Sequence, residues 1–498
     1  MEVSATSYVN ATLIMLGVYM VLVLFMVIKG ALKTKNMQDY AMGSFQFSPL
    51  MVGLSVAAAM TSAATFIINP GIVAYYGWSA FLSYGIFLPL AALLALVVLS
   101  KQFRRHGSAS KAQTLPQWIG NRFNSNGLKN WFAYTSLLLL TFLVLICVGL
   151  TQVIATALNA DSVLVLWVII IFIFGYMMFG GANALVYTNT IQALIMVVVA
   201  IILLSSGLDN FENGIGGFFD KVAAIDPQLS NPTRPESPLF RDFFEIVIAQ
   251  LIIGFAVVCQ PHIITKAMLL KSDADVNKYL IIGVLVQLLF FLVVFAGFYA
   301  RIQFPDLMVN GVKLSPDKIM SAFVVKRFPV YVGLLVVLGL ISAGISTLEG
   351  LIQSLSTTYV SDILQPNIKG LDDKQWFCIH KLVIILMAII TGIWSMQQIS
   401  HPNFSVAMLA QNGVYAFFAS AVIPIFCGLF FPKTKANVLL TAAIMALLVH
   451  FSVYYFSISS YMQLQVKNPA IPASFAIFAS VITVLVLSLF NRIKSKTI

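Results

Sequence analysis

Charge is what this chain of 498 residues has least of: Asp, Glu, Lys and Arg make up 9% of it, against 60% hydrophobic side chains. A soluble domain cannot hide that much apolar surface from water, so the shortage predicts an integral membrane protein. Cysteine is nearly as scarce. Cys147, Cys259, Cys378 and Cys427 show no metal-ligand spacing and no disulfide framework. The five histidines, His106, His262, His380, His401 and His450, are scattered, which argues against a convergent catalytic cluster and so against an enzyme. The start of the chain lacks the basic residues and small-residue cleavage site of a signal peptide, so its first apolar run is expected to remain as a helix.

What the chain has in plenty is apolar windows of about 20 residues, each enough to cover roughly 30 Å of hydrocarbon. About thirteen occur, so the expected fold is an all-α integral membrane protein with about thirteen transmembrane helices. They are placed at 8–29, 47–73, 77–100, 129–158, 162–180, 184–207, 243–264, 279–302, 331–360, 377–398, 404–431, 436–458 and 469–490. The connections 208–242 and 303–330, with several Gly, Pro and Asp residues, are expected to be ordered extramembrane loops. The short stretch after Phe490 is not expected to hold a soluble signalling module.

The net charge of +11 orients the chain rather than calling for nucleic acid. With the N-terminus outside, most Lys and Arg residues fall on the cytoplasmic side, among them Lys29, Lys33, Lys101, Arg104, Arg105, Lys433, Lys435 and Arg492. Asp209, Glu212, Asp220, Asp226, Glu236 and Asp242 gather in one outer loop. The positive-inside rule then predicts an outer N-terminus and a cytoplasmic C-terminus, consistent with an odd number of spans.

Two spans are too polar to be simple anchors. The second, "LMVGLSVAAAMTSAATFIINPGIVAYYG", carries Ser55, Thr61, Ser62, Thr65, Asn69 and Pro70. Backbone that leaves the helix in lipid needs protein or a watery cavity to satisfy it, so a break there would aim carbonyls at something. The ninth span contains "SAGISTLEG", where Ala343, Ser346 and Thr347 share one helix face by their i, i+3, i+4 spacing. Two hydroxyls and a carbonyl from that face, with two carbonyls from a broken helix, would form a five-oxygen cage for a small hard cation. Sodium fits such a donor set, whereas softer metals call for His or Cys. Close packing and back-bonding to the i−4 carbonyl explain the ninth span better than an ion does when it is taken alone; its pairing with a Pro-bearing second span favours the ion. The seventh span is interrupted too, by "GFAVVCQPHII" with Pro261. Paired interruptions in corresponding helices are the mark of inverted-repeat transporters.

On these stretches, with "GGANALVYTNTIQ" and "QPHIITKAM", the chain resembles the sodium:solute symporter family of leucine-transporter fold, closest in appearance to its pantothenate, monocarboxylate and proline branch. The resemblance implies inverted five-helix repeats with broken second and seventh helices. The first repeat would be 46–207 and the second 243–431. An extra helix and cytoplasmic loop (1–45), an extracytoplasmic loop (208–242) and two final helices with a short tail (432–498) would flank them. It also implies sodium as the coupling ion, held by the carbonyls of Ala58, Thr61 and Ala343 and the hydroxyls of Ser346 and Thr347. Two departures stand out. Asn189 lies where the family usually has an aspartate that supports sodium coupling or a second sodium, which favours one sodium per cycle. Glu349 lies where relatives carry a small or amide side chain; a carboxylate within the membrane is a functional candidate, with a protonated or snorkelled structural role as its alternative.

By the same resemblance the solute would lie between the second, third, seventh and eleventh spans, near Ser62, Thr65, Tyr84, Gln260 and Gln411, with Phe66 and Phe255 able to close the cavity. No Arg or Lys is expected deep in any span, and Lys266 is expected near the cytoplasmic end of the seventh. This favours a monocarboxylate, a pantothenate-like acid or a neutral solute over a dianion. The expected activity is sodium-coupled symport by alternating access in a bacterial inner membrane, by a monomer whose partners are solute, sodium and the bilayer. A proline or other amino-acid symporter, and a proton-coupled carboxylate carrier using Glu349, are the alternatives.

Overall fold

The computed structural model describes residues 5–34, 37–43, 47–110, 112–401 and 406–494. Residues 404 and 405, at the head of the eleventh expected span, and the last four residues of the expected tail lie outside the described residues. Helix dominates because, away from water, a single segment can satisfy its N–H and C=O groups only internally. In order the principal helices are α1 Ala5–Ala31, α2 Pro49–Met60, α3 Ala64–Tyr76, α4 Trp78–Arg105, α5 Asn126–Leu158, α6 Ser162–Ser205 and α7 Phe244–Val257. There follow α8 Pro261–Leu269, α9 Asp273–Gln303, α10 Val330–Thr358, α11 Asp373–Ser400, α12 Val406–Phe430, α13 Ala436–Tyr455 and α14 Ala470–Lys494.

Among the described residues, ten helices are long and apolar enough to cross a membrane. Counting the bent pairs α2/α3 and α7/α8 as one span each gives twelve. The sequence expectation exceeds this by one, and the difference lies in α6, a helical run of 44 residues interrupted at Gly181, where φ is +65°. L-residues avoid that region and glycine does not. Tyr176 and Thr188, on either side of Gly181, hydrogen-bond the two oxygens of one Glu349 carboxylate. On a straight helix twelve residues span about 18 Å, beyond what those two side chains can share. The chain therefore turns back on itself at Gly181.

The two bent pairs have local causes. Ser48 caps α2 by accepting from Met51 N–H, with Pro49 in the first turn, and the helix stops where Thr61 turns extended (φ −100°, ψ 100°). The chain resumes through a wide π turn at Ala64–Ile68, ahead of Pro70, which has no N–H to give. The α2 and α3 axes differ by 59°. The second break follows the same grammar: Gln260 is extended (φ −63°, ψ 135°), Pro261 starts α8, and the bend is 60°.

Burial orders the bundle. In α10's apolar window 72% of residues are buried, against 22% for α1 and 28% for α14, so α10 is central and the two terminal helices are peripheral. α10 packs against α6, α5 and α2, while α9 lies along α2 and α4 along α7. The connections expected to be ordered are so: one contains the helix Gly214–Ile225, and the other a hairpin pairing Met308–Val309 with Val312–Lys313, then the helix Pro316–Arg327.

Candidate ion and solute site

The break after Met60 and the small face of α10 meet in the middle of the bundle. Ser346 Oγ donates to Ala58 O at 2.9 Å and lies 3.1 Å from Ala343 O. Thr347 Oγ1 lies 3.2 Å from both Ala59 O and Thr61 O, and 3.5 Å from Ala343 O. All five oxygens named from the sequence are thus brought together, with Ala59 O as a sixth that the sequence did not single out. Ser346 and Thr347 are buried at 0% and 1% exposure. Ala58 O also accepts from Thr61 N–H at 3.2 Å, but each carbonyl has a second lone pair, so the cluster keeps more acceptor capacity than its two hydroxyl protons can fill. A small cation coordinated by neutral oxygens is the chemistry that balances such a set. The break is also held in place: Gln287 of α9 donates to Thr61 Oγ1 at 3.0 Å and accepts from it at 3.1 Å, which fixes the residue whose carbonyl faces α10.

Beside this cluster lies a cavity of about 100 Å³. Ser62, Thr65, Tyr84, Gln260 and Gln411 all line it, as the sequence predicts. Asn69, two helical turns past the break, joins them; an amide beside Pro70 in an otherwise apolar run was the available signal. Asn69 Oδ1 and Gln260 Oε1 are buried with no hydrogen-bond partner among the described residues, which leaves two acceptors for a solute. No Asp, Glu, Lys or Arg appears among the lining side chains of the described residues. Two expected gates stand elsewhere. Phe66 is fully buried edge-on to Phe290, and Phe255 packs against Phe426 of α12; neither lines the cavity. Aromatic packing between helices claims both rings.

Glu349, one turn beyond Ser346, is fully buried. It accepts from Tyr176 OH at 2.5 Å and from Thr188 Oγ1 at 2.7 Å. Asn189, also fully buried, satisfies its amide when the nitrogen donates to Glu349 Oε2 and Gln192 Oε1, each at 3.1 Å, and the oxygen accepts from Lys266 Nζ at 3.2 Å. Lys266 also donates to Ser55 Oγ at 2.7 Å. The sequence placed Lys266 near the cytoplasmic end of the seventh span and did not foresee its burial. At 4% exposure it is inside the bundle, because the bend after Gln260 turns α8 inward.

Comparison with known proteins shows the family and the fold. The model of the sodium:solute symporter family matches residues 40–449. Sodium/pantothenate symporters of Haemophilus influenzae and Escherichia coli are 24% and 26% identical, each alignment covering 82% of this chain and 82% of the relative. A sodium/proline symporter of Staphylococcus aureus is 26% identical over 82% of this chain and 79% of its own length. Among solved structures, the substrate-bound outward-open state of a Na+-coupled sialic acid symporter matches with a TM-score of 0.74. It covers 95% of this chain and 98% of that one at 19% identity, so what the two share is the fold.

Proposed function

The chain belongs to the sodium:solute symporter family, and from that premise we propose that the oxygens at the first break hold its coupling sodium while the adjoining cavity holds its solute. It is a multi-pass membrane transporter that couples sodium to a small organic solute, and not an enzyme. The observation that carries the assignment is the meeting of Ala58, Thr61 and Ala343 carbonyls with the Ser346 and Thr347 hydroxyls. Sodium bound there ties α2 to α10 and orders the break, which prepares the cavity for solute. When α2 and α10 part, the oxygens separate, sodium is released and solute follows.

The solute is a monocarboxylate or pantothenate-like acid. Ser62, Thr65 and Tyr84 hydroxyls and the Gln411 amide supply neutral donors for one carboxylate, Asn69 Oδ1 and Gln260 Oε1 are left to accept from the solute's own hydroxyl or amide groups, and no fixed charge among the described residues lines the cavity to select a dianion. Residues 46–207 and 243–431 are the two repeats, each opening with a broken helix, and the division of α6 at Gly181 brings the crossings to thirteen. The basic segments face the cytoplasm, with the N-terminus outside, in a bacterial inner membrane, and a monomer suffices.

The test is thermal unfolding of the purified protein against a panel of small carboxylates, pantothenate, proline and other amino acids, with and without sodium, followed by uptake into proteoliposomes. Sodium alone should raise the unfolding temperature, and one acid of the panel should raise it further only when sodium is present. Stabilisation by proline alone would move the solute to the amino-acid class. Indifference to sodium throughout would overturn the assignment.

A further inference from the structure

Neither the sodium oxygens nor the solute cavity accounts for Lys266. Its ammonium stands between Ser55 Oγ and Asn189 Oδ1, and the nitrogen of the same Asn189 amide reaches Glu349 Oε2. Ser55 precedes Ala58 by three residues and Glu349 follows Ser346 by three, so this group lies about one helical turn from the sodium oxygens on both helices that form them. Its other oxygens, Thr188 Oγ1 and Gln192 Oε1, face Glu349 or the Asn189 amide. A second oxygen-rich pocket thus adjoins the first, with a carboxylate in its wall and an ammonium already inside.

The energetics make the arrangement mutual. A carboxylate or an ammonium alone in the membrane interior is costly, and removing one partner of such a pair leaves the other uncompensated. Asn189 is suited to join them: its amide donates to the anion and accepts from the cation. An aspartate there would bring a second negative charge beside Glu349 and could not donate to it.

We propose that Lys266 is a tethered cation filling a second monovalent-cation site, formed by Ser55, Asn189 and Glu349, beside the coupling-sodium site. The proposal rests on the symporter reading of the first site. Lys266 rides on α8, while Ser55, Asn189 and Glu349 ride on α2, α6 and α10. Motion of α8 away from the bundle therefore withdraws a positive charge from next to the sodium oxygens, and its return restores it. In this way the second break reports its position to the first without a second free ion.

The experiment is radiolabelled sodium binding to the purified full-length protein. Wild type should bind one sodium. Lys266→Ala should bind two, and adding Ser346→Ala should weaken one of the two about tenfold while leaving the other, held at the emptied lysine position, unchanged. If Lys266→Ala folds and binds a single sodium with unchanged affinity, the tethered-cation proposal is overturned while the symporter reading stands; a wild type that binds no sodium would overturn that reading instead. Should Lys266→Ala fail to fold, the pair Lys266→Met and Glu349→Gln decides. Each single change should lower the unfolding temperature, and the double variant should recover most of the loss. A double variant no more stable than the singles would also overturn the proposal.

Discussion

The two broken helices bend by 59° and 60°, yet the backbone freed at each meets different surroundings. After Met60, the carbonyls of Ala58, Ala59 and Thr61 face the hydroxyls of another helix. After Val257, the loose groups are closed nearer home: Cys259 N–H donates to Ala256 O, and Gln260 O accepts from both Ile263 and Ile264 N–H. The same bend therefore forms the proposed ion site at one place and, at the other, a short buried helix that carries a lysine. Chemistry at a broken helix is decided by what stands opposite its carbonyls, not by the angle.

The strongest way to break this contrast is to remove the hydroxyls opposite the first break. Ser346→Ala and Thr347→Ala each delete one oxygen of the proposed sodium shell. Each should raise the sodium concentration for half-maximal uptake by about tenfold, or about 1.4 kcal/mol. Ala343→Ser should change little, because its ligand is the backbone. Sodium titration of uptake in proteoliposomes is the measurement, and wild-type dependence in both hydroxyl variants would leave the two breaks equivalent.

A smaller effect is expected from the support behind the break. Gln287→Leu strands the buried Thr61 hydroxyl, at a cost of about 1–3 kcal/mol. It should lower thermal stability and weaken sodium stabilisation several-fold while solute selectivity stays as it was. Unchanged sodium response would mean that Thr61 is positioned by α10 alone.

The smallest effect belongs to the second break. Proline at the first position of a helix gives up an N–H that would have no partner there, so Pro261→Ala should shift stability by less than about 0.5 kcal/mol. Sodium affinity should stay unchanged. A tenfold loss of sodium affinity in this variant would show that the second break holds ion as well as shape.

The contrast also explains what could be read from the amino-acid sequence. Pro70, Pro261 and the i, i+3, i+4 spacing of Ala343, Ser346 and Thr347 are local signals; they marked the second and seventh spans as interrupted and picked the helix face opposite the first break, although that break falls at Thr61, nine residues before Pro70. Which carbonyls that face would meet came from family resemblance, because no spacing rule relates residue 58 to residue 346. The Lys266 network was out of reach for the same reason. Its members come from positions 55, 188, 189, 192, 266 and 349, and Lys266 read as a boundary residue because the inward turn of α8 is a tertiary fact. Phe66 and Phe255, named from the sequence as able to close the cavity, stand outside its lining here, each against another ring, and no local signal in the sequence shows those packing partners.

Gly181 has a consequence beyond its own turn. Uninterrupted, the 44 residues of α6 would form a rod of about 66 Å, roughly twice the hydrocarbon thickness of a bilayer. A side chain at 181 would oppose the left-handed backbone by about 1–2 kcal/mol, and its Cβ would stand 3.0 Å from the Tyr40 Cα. On the proposed count of thirteen crossings, losing the reversal would change their parity. Every loop downstream would emerge on the opposite side of the membrane, and α10 would meet α2 upside down, its hydroxyls facing away from the carbonyls they now serve.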